Sequence, residues 1–130
     1  MAVLSACEPP NETCAEPTER HGEHSEPTGA ICPPDNALTY ENFGKPFMDQ
    51  YCVRCHRSEL VSEDERMCAP LGYDFDTLMG ILDVAAQVGS HAAAGPDSIN
   101  ELMPEDDPKP TLEEREQLGQ WLACELADSG

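Results

Sequence analysis

Basic residues are scarce in this chain of 130: seven Lys and Arg stand against 26 Asp and Glu, for a formal net charge of −19. A field of that sign repels nucleic acid and anionic lipid surfaces, so neither is an expected partner. It suits either a basic protein partner or simple solubility in an acidic habitat. Carboxylate repulsion is least screened at low ionic strength, so stability is expected to fall there. Aromatic residues are also few, seven in all, and every one lies between Tyr40 and Trp121. Core-building material is therefore confined to the C-terminal two-thirds. A domain of about 90 residues buries only around 60–65% of its unfolded surface. A large apolar cofactor at the centre would make up that shortage. No apolar run approaches the roughly 20 residues that span a bilayer. No strand pattern is visible, which leaves an all-α class.

Cysteine is abundant. Seven in a chain of this length point to an oxidising compartment, or to a metal or cofactor site. Leu4-Ser5-Ala6-Cys7 resembles the lipobox of bacterial lipoproteins, in which Cys7 would be acylated. Six residues are too few for a signal peptide, so the sequence is expected to begin inside one. A disulfide is the other role open to Cys7. Residues 8–37 are rich in Pro, Glu, Thr, Gly and Asn and carry no hydrophobic period. Such a stretch cannot bury enough apolar surface to offset its ordering entropy, and it reads as a disordered spacer. His21 and His24 sit in it and are expected to be solvated. The expected organisation is an anchor-like start and tether over 1–37, and a folded domain over 38–130.

Thr39 can cap a helix running from about Tyr40 to Val53, with Tyr40, Phe43, Phe47 and Tyr51 on one face. Pro46 interrupts it. Either the helix kinks there, or regular helix starts near Lys45 with Pro46 in its first turn. Residues 57–73 read as loop. A second helix is expected from Phe75 to about Val88, capped by Asp74 or Asp76, with Leu78, Ile81, Leu82 and Ala85 inward and Gly89 at its end. A short turn over 90–94 follows, then a Pro-rich loop over 100–110. Thr111-Leu112-Glu113-Glu114 is a capping box opening the last helix, whose buried face is Leu118, Trp121, Leu122 and Leu126.

Cys52-Val53-Arg54-Cys55-His56 is the c-type haem attachment pattern. Two cysteines three apart lie about one helical turn apart, so both thiols reach the two vinyl groups on one porphyrin edge. The adjacent histidine then brings its imidazole under the iron. With seven Cys and four His, chance gives about 0.01 such matches per chain. Zinc is a rival ligand for Cys52, Cys55 and His56, but no second Cys-x-x-Cys or His-x-x-His pair closes a site. A thiol–disulfide switch is another, but no βαβ pattern surrounds the motif.

Over roughly residues 38–127 the chain resembles class I cytochrome c domains. A helix carrying Gly44, Phe47 and Tyr51 leads into Cys52. Ala69-Pro70-Leu71 matches the family's loop, whose proline offers a carbonyl to the proximal imidazole. Leu102-Met103-Pro104 matches its methionine loop, and Trp121 matches the aromatic that packs against the first helix near its glycine. The departures are Pro46, the extra cysteines and the acidic tail. The resemblance implies a class I cytochrome c fold, three to four helices around one covalent haem c. Cys52 and Cys55 would carry the thioethers, His56 and Met103 the iron, and Pro70, Phe47, Tyr51, Leu71 and Trp121 the pocket. Met103 sits in a Pro-restricted loop; Met48 and Met79 fall on predicted helices, Met67 is too near the motif, and His91 is the rival ligand. Because the terminal helices of this fold pack together, a Cys32–Cys124 bridge is expected. Cys14 and Cys68 are left as a second bridge or, for Cys68, a buried free thiol.

The function so implied is one-electron transfer between extracytoplasmic redox proteins, in a periplasmic or lipid-anchored monomer that is not an enzyme. Docking would be transient, at the haem edge. Arg54 or Arg57 is near enough to the motif to meet the haem propionates, with a solvated surface role as the ordinary alternative. A haem-based redox or gas sensor, a peroxidase-like haem enzyme and a structural zinc module are the other readings.

Overall fold

The computed structural model describes residues 27–62, 66, 72–104 and 107–129. Among them the protein is mostly helical and has no strand; an isolated antiparallel bridge joins Ala94 and Ile99. A five-residue π-helical turn, Tyr40–Gly44, runs into α1 (Lys45–Tyr51). Then come α2 (Leu78–Asp83), α3 (Ala85–Ala92) and α4 (Leu112–Ser129). None is long and apolar enough to cross a membrane.

Both readings of Pro46 contain part of the answer. Thr39 caps as expected, with Thr39 Oγ1 accepting from Asn42 N at 3.0 Å and Asn42 Oδ1 accepting from Thr39 N at 2.8 Å. Proline has no N–H to continue an α ladder. The chain meets this by widening its first turn: Gly44 N donates to Thr39 O at 3.0 Å, one residue further back than in an α-helix. Regular helix then starts at Lys45 with Pro46 in its first turn.

The second predicted helix is two helices. Thr77, rather than Asp74 or Asp76, caps α2, its hydroxyl accepting from Gly80 N at 3.0 Å. Val84 interrupts the run with non-helical backbone, and α3 passes through Gly89 to Ala92. Gly89 is therefore interior, and the turn expected over 90–94 is largely the end of this helix. The capping box of α4 forms as expected: Glu114 N donates to Thr111 Oγ1 at 3.1 Å and Thr111 N to Glu114 Oε1 at 2.9 Å. On α4, Leu118, Trp121 and Leu122 are buried, but Leu126 is 47% exposed.

The core joins α1, α2, α3 and α4 through Phe47, Met48, Tyr51, Phe75, Ile81, Val88, Leu118 and Trp121. Gly44 and Trp121 are its centre. A Cβ on Gly44 would overlap the indole, so only glycine lets the first turn lie against α4. Tyr40 and Phe43 flank that indole at centroid distances of 6.3 and 6.2 Å.

Residues 27–37 are docked, which moves the start of the folded part upstream of residue 38. Asp97 N donates to Thr28 O at 2.8 Å. Gly119 lies against Ala94 O and Ala30, where any side chain would collide. The expected Cys32–Cys124 disulfide is present, with Cα atoms 4.6 Å apart. These contacts offset the ordering entropy that composition alone left unpaid; a loop closed over 92 residues adds about 2–4 kcal/mol.

Candidate functional site

The motif begins where α1 stops. Cys52 is the C-cap of α1, and Cys55 N and His56 N both donate to Cys52 O, at 3.2 and 3.1 Å. The chain thus makes one tight backbone turn through Cys52-Val53-Arg54-Cys55-His56. The His56 ring stacks on Phe75, centroids 4.6 Å apart and planes inclined by 19°. His56 N–H chemistry is fixed from behind. A carbonyl can only accept, so the 3.0 Å approach of Nδ1 to Tyr73 O makes Nδ1 the donor. In the neutral ring the lone pair then lies on Nε2, the arrangement usual for a metal-bound imidazole.

The carbonyl facing His56 is Tyr73's, where the resemblance put Pro70's. Pro70 and Leu71 lie outside the described residues, as do Cys7, Cys14, Met67 and Cys68. A buried arginine supports the Tyr73 carbonyl. Arg66, 1% exposed, donates to Arg57 O, Leu60 O and Tyr73 O at 2.9–3.0 Å and pairs with Asp74 Oδ1 at 2.8 Å. One side chain thereby ties both flanks of the loop after the motif.

The two thiols differ. Cys52 is a free thiol, and burial, opposed by the Arg54 and Arg115 charges, pushes it up to about 12. Cys55, 2% exposed, is in a disulfide whose partner lies outside the described residues. A sulfur in a disulfide cannot carry a thioether at the same time, so in this state the motif offers one thiol, where the attachment pattern needs two.

Arg54 and Arg57, the two arginines beside the motif, also part company. Arg57 donates to Val53 O at 3.0 Å and to Glu59 at 3.2 Å, a local role. Arg54 has Nε and Nη2 buried with no hydrogen-bond partner. Buried guanidinium nitrogens without a partner are costly, and an anionic group is the partner the planar fork matches.

Met103 is half-buried against the core, and Met48, on α1, is fully buried in it. Met79, on α2, is 68% exposed. The rival ligands are neighbours, Met103 N donating to His91 O at 2.9 Å. The His91 ring is turned along its own helix, with Nδ1 2.7 Å from Gln87 O. Met103 O accepts from Arg115, a residue of α4. Phe47, Tyr51 and Trp121 are buried as expected, and Tyr51 OH donates to Glu114 Oε1 at 2.8 Å.

The residues fit a covalently bound haem on three counts. The imidazole is oriented through Nδ1, an orphaned guanidinium sits inside the motif, and a thioether donor lies in a loop tied to the core. The condition is that Cys55 be a thiol. Among the described residues no group of three His, Cys, Asp or Glu side chains gathers to hold a metal ion by itself. No protein-family model, no curated protein and no solved structure matches the chain.

Proposed function

We propose that the protein is a monohaem c-type cytochrome that carries single electrons between extracytoplasmic redox proteins. What carries the reading is the Cys52-Val53-Arg54-Cys55-His56 turn, with His56 Nδ1 held on Tyr73 O and the Arg54 guanidinium left without a partner beside it. In this reading Cys52 and Cys55 hold the haem covalently, and His56 and Met103 hold its iron. Arg54 supplies the counter-charge to a propionate. The haem would supply a reversible one-electron couple, with a potential raised by the thioether ligand. The chain's own part is to orient the imidazole, keep the pocket dry with Phe47, Tyr51 and Trp121, and present a strongly acidic surface to a basic partner. Cys55 has to be released from its disulfide, by two electrons and two protons from a thiol reductant, before its S–H can add to a vinyl carbon. An anchor through Cys7 remains part of the proposal.

The oxidised state of Cys55 favours a second reading, a thiol–disulfide switch. Such a switch needs an attacking thiolate, and burial keeps Cys52 protonated throughout the physiological range.

The test is the full chain, exported from a host that matures c-type cytochromes and purified for intact mass and a pyridine haemochrome spectrum. One haem per chain that survives denaturation is expected, and it is expected to be lost in the double variant Cys52→Ala/Cys55→Ala. A folded, exported chain without haem overturns the proposal. Zinc in a one-to-one ratio would point to the structural module, and an added acyl mass would locate the anchor.

A further inference from the structure

Arg115 stands one turn into α4 and is 2% exposed. Its Nη1 donates to three backbone carbonyls, Ala92 O, Asn100 O and Met103 O, each at 2.9 Å. Nη1 carries two hydrogens, so at least one is shared. Ala92 is the last residue of α3, and its carbonyl is among those that helix geometry leaves without a partner. Asn100 and Met103 bracket the last part of the loop that follows. The same loop is laced from the other side: Asn100 N donates to Ala93 O at 3.0 Å, Asn100 Nδ2 to Gly89 O at 3.0 Å and Met103 N to His91 O at 2.9 Å. Both backbone polar groups of Met103 are therefore fixed, its N–H by the end of α3 and its carbonyl by α4. The guanidinium is also within electrostatic reach of Glu101, and then of Cys52 and Tyr51. In a chain with seven basic residues and 26 acidic ones, this cation makes its hydrogen bonds to neutral carbonyls.

We propose that Arg115 is the positioning residue for Met103, a buried clamp that sets where the thioether can sit as sixth ligand to the haem iron. The inference rests on the cytochrome reading above. Removing the guanidinium takes the donor from one carbonyl at the end of α3 and two in the loop after it, in a buried to half-buried place, and a loop so released samples positions in which the sulfur no longer reaches. A shift of roughly 10- to 100-fold in the bound-to-released ratio of Met103 is the size of effect that such a coupling carries.

The experiment uses the haem-loaded full chain with Arg115→Leu and Arg115→Lys. Three signals are read on each: haem content by pyridine haemochrome, the weak near-infrared sulfur-to-iron band of the oxidised protein, and helix content by far-ultraviolet circular dichroism, the last two along a urea titration. Arg115→Leu is expected to keep its covalent haem and lose the band in buffer, with a fall in reduction potential. Arg115→Lys, which retains a cation but not the planar fork, is expected to keep the band in buffer and lose it at a lower urea concentration than helix content. A purely structural arginine predicts that band and helix content disappear together in both variants, and that result overturns the inference. If Arg115→Leu fails to fold, Arg115→Lys decides by the same separation of midpoints. A wild type with covalent haem but no band overturns this inference and leaves the cytochrome reading standing; a wild type without haem overturns both.

Discussion

Gly44 and Trp121 show how one missing side chain sets a packing geometry. The indole is fully buried and lies where a Gly44 Cβ would stand. Gly44→Ala adds that single carbon, and either the first turn or α4 has to move. Overpacking of this kind costs about 1–3 kcal/mol, read as a lower urea midpoint in equilibrium unfolding; an unchanged midpoint would show that the contact yields freely. The pairing was legible in the sequence, through the resemblance that set a glycine of the first helix against an aromatic of the last. The arginines were not legible. Arg66 and Arg115 stand among polar residues in a loop and on a helix, and nothing in their sequence spacing marks them as buried. Their scarcity was the available signal, because a chain this acidic has little cause to keep arginine at the surface for solubility alone.

The elements are joined by polar links as much as by the core. Ser58, two residues past the motif, donates from Oγ and N to Asp76 at 2.8 and 3.2 Å, just ahead of α2. Burial raises the Asp76 carboxyl, but the two Ser58 bonds, its own backbone N–H and the Arg57 charge outweigh it and hold the group below its ordinary 3.8. A carboxylate lowered by folding contributes stability that is present above the unfolded value and is lost as pH falls through the folded one. Asp76→Asn is therefore expected to destabilise the protein at neutral pH and to make little difference once Asp76 is protonated in both states. Urea midpoints of the two proteins from pH 7 down to about pH 2 check this; a constant gap over the whole range would remove the electrostatic account. Element boundaries were less legible than element existence. Asp74 and Asp76 looked like caps, yet Asp76 serves Ser58 and Thr77 caps α2, because a cap is chosen by which side chain can turn back to the backbone N–H groups.

At the scale of the molecule the formal charge is −19, with 26 acidic residues against seven basic ones. Ion pairs among the described residues include Lys45–Asp49, Arg57–Glu59 and Arg66–Asp74, and of these three the last has a buried partner. Carboxylates outnumber the cations that could pair them, and the excess acts on the fold through mutual repulsion. The Debye length shrinks from about 30 Å at 0.01 M to about 8 Å at 0.15 M salt, so the thermal midpoint is expected to rise over that interval of sodium chloride. Circular dichroism melts at fixed pH measure it, and a midpoint that is flat or falls with salt would mean that the carboxylates are already too far apart to matter.

The sequence by itself determined what is local or combinatorial. Helical periods, the Thr111–Glu114 capping box, the five-residue motif and the absence of a strand pattern depend on neighbours within a turn or two. The Cys32–Cys124 pairing and the Gly44–Trp121 contact came from resemblance to a fold in which the terminal helices meet. Only the tertiary structure decided which carbonyl faces His56, that Arg54 Nε and Nη2 are buried without a partner, that Arg115 gathers Ala92, Asn100 and Met103, and that residues 27–37 dock. Each of these joins groups whose meeting depends on the path of the loops, and hydrophobic periodicity does not encode that path. Burial of the few cations follows from the same cause: an arginine goes inside where unpaired carbonyls collect, and helix ends and loops collect them only after the helices have packed.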